Sequence, residues 1–157
     1  MNDAQQTPDA RKQAHWHRLE RLYHAAPVTR LYGTRVTVRE GAAEVTLPVD
    51  DRFFHAANAL HGSAYFRALD DAAFFAANSI VYDVLVLTTS FHIDFFRPVR
   101  AGPLTATGRL VNQGRRMLFA DAELRDPEGR LVARGGGVFT RSTIDLDDLE
   151  NSPSSDG

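Results

Sequence analysis

Residues 59–79 read ALHGSAYFRALDDAAFFAANS, a helix made almost wholly of Ala, Phe, Leu and Tyr that still carries two adjacent aspartates, Asp70 and Asp71. A helix apolar on nearly all sides must be surrounded, and an antiparallel sheet curved around it would do that. A buried carboxylate without a partner is costly, so each aspartate needs a reason to be there. At about 100° per residue, Tyr65, Leu69, Ala72 and Ala76 share the face expected to meet the sheet, with the aspartates on its opposite flanks.

Working outward, residues 9–26 read as a second helix. Trp16, Leu19, Leu22 and Tyr23 recur at helical spacing, and Pro27 stops it. TRVTVRE and AAEVTLPV form a hairpin around Gly41, and residues 50–61 are a loop. Beyond the apolar helix, strands are expected over Val84–Phe96, Leu104–Val111, Met117–Arg125 and Leu131–Thr140. The third alternates cleanly, with Leu118, Ala120, Ala122 and Leu124 on one face. NQGRR and DPEGR are the turns between them. The order of helix, two strands, long helix and four strands is an α+β arrangement: a six-stranded antiparallel sheet with one helix laid across it. The first seven residues and the tail IDLDDLENSPSSDG hold too little apolar matter to order themselves.

A chain of 157 residues is one domain, and its 43% hydrophobic and 24% charged content is that of a soluble globular protein. A net charge of −2 with scattered basic residues offers nucleic acid no footprint. No apolar run reaches the length of a membrane span, and the polar start MNDAQQTPDARKQ has no signal-peptide core. The absence of cysteine excludes disulfide and thiolate chemistry. These features point to a cytoplasmic protein.

The two aspartates differ. Asp71 has Arg67 one turn earlier and Asn78 nearby, so a salt-bridged or solvated flank explains it. Asp70 lies between Phe66 and Phe74, and no basic residue of the helix is expected to reach it. A carboxylate so placed either meets solvent or a partner from elsewhere in the fold, or serves as a base or nucleophile with a raised pKa. At the start of the helix, Gly62 and Ser63 follow His61, where unpaired amides can polarise a carbonyl. Ser63 is also a good capping residue, so the motif alone is weak. Gly62 and Asp70, eight positions apart, are separated by roughly 12 Å along the axis. Acting on one carbonyl, they would have to come from two chains of a symmetric dimer.

In these residues the chain resembles the hotdog-fold acyl-CoA thioesterases of the phenylacetate-degradation type. In that group a His-Gly-Gly motif opens the central helix and a catalytic acidic residue follows nine positions after the His. Here His61-Gly62-Ser63 precedes Asp70 at that spacing. Asn78-Ser79, IDFFRP (Ile93 to Pro98), GPLTATGRLVNQGRR and ARGGGVF are similar as well, so the resemblance spans roughly residues 28–140. It implies a hotdog fold with an extra N-terminal helix. Residues 1–27 would be an extension, 28–141 the thioesterase domain, and 142–157 an acidic flexible tail. It further implies hydrolysis of acyl-CoA by a homodimer, often paired into a dimer of dimers, with no metal and no cofactor beyond the coenzyme A of the substrate. The Gly62 amide would polarise the thioester carbonyl, and Asp70 of the partner would attack it or activate water. Two departures stand out. Ser63 replaces the second Gly, and His55 occupies the position six before His61 where the group has Asn or Gln to hold water; Asn58 lies three residues late. That second departure makes a non-catalytic acyl-thioester binding protein the rival reading; a purely structural oligomer would leave Asp70 unexplained.

Other residues complete the candidate list. His61 would support the loop by hydrogen bonding. Thr88, Ser90, His92 and Asp94 share a strand face, a polar row that buried interface hydrogen bonding explains, and Thr88 or Thr89 would lie near the site. Arg115 and Arg116, after NQG, could meet coenzyme A phosphates, though a solvated basic turn explains them equally. His15 and His17 flank Trp16 and point apart on the helix, which makes them surface histidines rather than metal ligands.

Overall fold

The computed structural model describes residues 7–152. Two N-terminal helices, α1 (Pro8–Ala25) and α2 (Pro27–Tyr32), lead into β1 (Arg35–Arg39) and β2 (Ala42–Leu47). A loop with one 3₁₀ turn at Asp51–Phe53 precedes the long helix α3 (Gly62–Asn78). Strands β3 (Val84–Phe95), β4 (Leu104–Gln113), β5 (Met117–Arg125) and β6 (Leu131–Asp145) follow, and α4 (Leu146–Asn151) closes the described chain.

The six strands form one antiparallel sheet in the order β1-β2-β4-β5-β6-β3, curved around α3. This is the hotdog arrangement. The central helix is rich in alanine because the sheet presses so closely on it: Ala64, Ala68, Ala72, Ala73, Ala76 and Ala77 are all fully buried. At Gly108 of β4 a Cβ would come within 2.0 Å of the Ala72 carbonyl oxygen, so the crossing admits only glycine there. Tyr65, Leu69, Ala72 and Ala76 face the core as their spacing requires, against Val45, Leu47, Leu104, Leu118 and Phe139.

Three differences from the sequence reading have clear causes. Pro27 ends α1 but also opens α2, since its missing N–H costs nothing at a first helical position. Residues 142–152 are not a loose tail. Strand β6 runs on to Asp145, and α4 docks through the fully buried Leu146 and the ion pairs Arg18–Asp147, Arg18–Glu150 and Arg21–Glu150. Residues 1–6 and 153–157 lie outside the described residues. His17 is exposed, but His15 is buried, its Nε2 3.0 Å from the Asn78 carbonyl oxygen and its ring tilted at 30° against Tyr82, centroids 4.3 Å apart. Among the described residues, no helix is long and apolar enough to cross a membrane, and no three His, Cys, Asp or Glu side chains gather into a metal site.

Candidate active site

The start and the middle of α3 open onto two different cavities. The first turn and the loop before it line a cavity of about 410 Å³ with His55, Gly62, Tyr65, Phe95 and Phe96. Asp70, two turns along, lines a larger cavity of about 850 Å³ with Thr88 and Phe74. Within one chain the two groups therefore face different spaces.

The loop before the helix is knitted by its own backbone. His55 N–H donates to Ala59 O and Asn58 N–H to His55 O, each at 2.9 Å, and His61 N–H donates to Phe53 O at 2.8 Å. Asn58 takes a left-handed conformation (φ 59°), which asparagine tolerates, and serves as the turn residue; it lines neither cavity. His55 Nδ1 accepts from the Ala57 amide at 3.1 Å, which fixes the ring beside Gly62.

The helix cap is His61 rather than Ser63. Its Nδ1 accepts from the Ser63 amide at 3.1 Å and lies 2.9 Å from the Ser63 hydroxyl. The Ala64 amide donates to the His61 carbonyl at 3.0 Å. Gly62 is the first helical residue, where no intrahelical acceptor exists, and its amide finds no other acceptor among the described residues. That N–H, at the positive end of a 17-residue helix, is a donor for an oxyanion. A Cβ on Gly62 would sit 3.2 Å from the Phe95 ring, so the missing side chain keeps the approach to the amide open.

At the other site, Asp70 is half-buried and accepts a 2.9 Å hydrogen bond from the Thr88 hydroxyl. Burial lifts its pKa above the ordinary carboxylate value; the Thr88 hydrogen bond and the Arg67 charge hold it back. Arg67 thus does reach Asp70 through its field, against the expectation from the helix alone. Thr88 points at the helix in alternation with the buried Val86, and the pairing of β3 with β6 then slips between Thr88 and Ser90, a bulge that breaks the expected polar row. Thr89 faces away and pairs with Thr140 at 2.6 Å, while Asp94 pairs with Arg134.

Asp71 is salt-bridged to Arg67 at 2.8 Å, as the spacing indicates, but it is buried, not solvated. The Tyr23 hydroxyl donates to it at 2.7 Å, and burial pushes its pKa up to about 7 against the pull of Arg67. Tyr23 belongs to α1, 48 residues away, a contact that no local spacing reveals. Arg115 and Arg116 sit exposed in the β4–β5 turn and line neither cavity.

Residues 57–133 match the thioesterase superfamily. The acyl-coenzyme A thioesterase PaaI of Escherichia coli strain K12 is 28% identical over 134 residues, covering 80% of this chain and 94% of that protein. The solved structure of the E. coli PaaI protein from the phenylacetic acid degradation operon superposes with a TM-score of 0.78 at 26% identity, over 85% of this chain and 97% of that one. A mutant of the phenylacetic acid degradation protein PaaI from Thermus thermophilus gives 0.67 at 29% identity, over 74% of this chain and all (100%) of the other. With a helix-wrapping sheet, a free amide at one end of the helix and a desolvated carboxylate farther along it, the chain has the hotdog fold, and its residues 57–133 resemble the thioesterase superfamily.

Proposed function

We propose that this chain hydrolyses the thioester bond of acyl-CoA carrying a small aryl or a short- to medium-chain acyl group. The observation that carries the proposal is the division of labour along α3: an unpartnered amide at Gly62 facing one cavity, and a desolvated carboxylate at Asp70 facing another. Neither group alone makes a hydrolase. Brought together across two copies of the chain, they supply an oxyanion donor and a base on either side of one carbonyl. The superfamily match and the similarity to acyl-coenzyme A thioesterase PaaI support this reading.

In the proposed reaction the thioester carbonyl oxygen rests on the Gly62 amide of one protomer. Asp70 of the other, ionised and held by Thr88, takes a proton from water as the water oxygen bonds to the carbonyl carbon. The tetrahedral intermediate collapses by breaking the C–S bond, and the thiolate leaves with the proton, giving a carboxylic acid and free coenzyme A. By direct attack, Asp70 would form an acyl anhydride as the C–S bond breaks and coenzyme A leaves as the thiolate. Water then opens the anhydride, releasing the acid and the Asp70 carboxylate, and the spare proton goes to the thiolate. Both routes start from the ionised carboxylate. His55, beside Gly62, would orient the water.

The catalytic unit in this proposal is residues 28–141, working in the cytoplasm as a homodimer joined across the β3 edge, with dimers pairing further. No cofactor is needed beyond the coenzyme A of the substrate. The proposal is tested by following thiol release with a chromogenic disulfide over a panel of acyl-CoA thioesters. Turnover of at least one of them is expected. A rise in melting temperature with acyl-CoA but no thiol released would identify a binding protein instead.

A further inference from the structure

The cavity at Asp70 is walled largely by parts of the chain outside residues 57–133. Its lining includes Leu22 of α1, Pro27 and Val28 of α2 and Leu149 of α4, facing Phe74 of α3 and Leu85 of β3. Of its charged side chains, Arg21 is paired with Glu150 at 2.8 Å and Arg67 with Asp71 at 2.8 Å, which leaves the exposed Arg30 and Asp70 itself. What the wall offers a ligand is therefore mainly aliphatic and aromatic surface.

The wall is built, not draped. The Tyr23 hydroxyl donates to Asp71 and shares a 2.6 Å hydrogen bond with Thr34 Oγ1. Arg67 Nη2 donates to Thr29 Oγ1 of α2 at 2.8 Å, and its guanidinium lies 5.3 Å from the Tyr23 ring centroid and 5.8 Å from that of Tyr32. Four of these groups, Tyr23, Thr29, Thr34 and Asp71, are buried. Helix α4 is clasped to α1 by Arg18 and Arg21. Both ends of the described chain, α1–α2 and α4, are thus fixed over the carboxylate.

We propose that the α1–α2 elbow and α4 form the acyl-binding wall, that the group they take is an apolar acyl chain or aryl-acetyl group larger than acetyl, and that Val28 and Leu149 set its size limit. The inference rests on the thioesterase reading. With the carbonyl at Asp70, one arm of the substrate must enter this cavity. The pantetheine arm is amide-rich and ends in phosphates, whereas the lining is largely Leu, Ala, Val, Pro and Phe; the acyl arm matches that apolar surface. A volume of about 850 Å³ is ample for such a group.

The experiment measures kcat/KM over acetyl-, butyryl-, hexanoyl-, octanoyl- and phenylacetyl-CoA for the full chain. Each further methylene buried should raise specificity by about fourfold until the wall is met. Val28→Trp and Leu149→Trp should each lower the octanoyl-to-butyryl ratio by about tenfold or more. Val111→Trp, on an exposed strand position that lines neither cavity, should leave that ratio unchanged. Val28 is 43% exposed, so its variant folds even where the Leu149 variant does not. A preference for acetyl-CoA, or a ratio unmoved in a folded Val28→Trp, would overturn the wall. Calorimetric binding of the same series to Asp70→Asn separates the two ideas. No turnover by the wild-type chain, with affinity still rising along the series, refutes hydrolysis and keeps the wall. Equal affinity for every acyl group refutes the wall.

Discussion

Thr88 Oγ1 donates a 2.9 Å hydrogen bond to Asp70 Oδ1, tying the bulged middle of β3 to the carboxylate on α3. The bond favours the ionised carboxylate, while burial favours the protonated one, and burial is the larger effect. Catalysis needs the ionised form, so kcat/KM should climb with pH along an acid limb set above the ordinary carboxylate value. Thr88→Val should move that limb to higher pH, because the bond that lowers the pKa is lost. Asp70→Asn should cut kcat by about a hundredfold or more at every pH. A limb that stays put in Thr88→Val would mean that Asp70 is not the titrating group.

Asp71 makes a different prediction, about stability. Its pKa is pushed from 3.8 up to about 7 in the folded protein, so the folded state holds a proton that the unfolded chain releases. Stability is then highest below the unfolded value and falls as pH rises from about 4 to about 7. Melting curves of the wild type and Asp71→Asn across that window should show the extra downward slope only in the wild type. Parallel curves would refute the assignment.

Much of this is legible in the sequence alone. The limits of β5 follow from clean alternation between two turns, and the Arg67–Asp71 pair from i,i+4 spacing. What escapes local reading depends on distant partners or on register. Leu146 and Leu149 are too sparse in an acidic segment to announce α4, which forms because Arg18 and Arg21 of α1 meet it. Asp71 reads as solvated because Tyr23 lies 48 residues away. A one-residue bulge after Thr88 turns Ser90, His92 and Asp94 away from the helix while Thr88, in step with Val86, serves Asp70, and alternation along the strand cannot register that break. The cap passes from Ser63 to His61 because a ring nitrogen in the acceptor state reaches the Ser63 amide.

His55 should prove replaceable. Its Nδ1 accepts the Ala57 amide at 3.1 Å, a bond to the residue two ahead that an asparagine oxygen makes equally well. His55→Asn should therefore keep the turn and match or exceed wild-type thiol release, since the related thioesterases carry Asn or Gln there. A loss as deep as that of Asp70→Asn would give the imidazole a chemical role of its own.

The central claim is that Gly62 of one chain and Asp70 of another act on one carbonyl, and subunit mixing tests it most directly. Gly62→Pro deletes the amide hydrogen while suiting the helix: proline is favoured at the first helical position, and His61 before it is already extended at ψ 145°. The variant should lose about a hundredfold to a thousandfold in kcat. When equal amounts of Gly62→Pro and Asp70→Asn exchange subunits, about half the dimers are mixed, each with one site free of both lesions. Thiol release should return to about a quarter of the wild-type rate. No recovery above the separate variants, with mixed dimers confirmed by native mass spectrometry, would contradict the shared site.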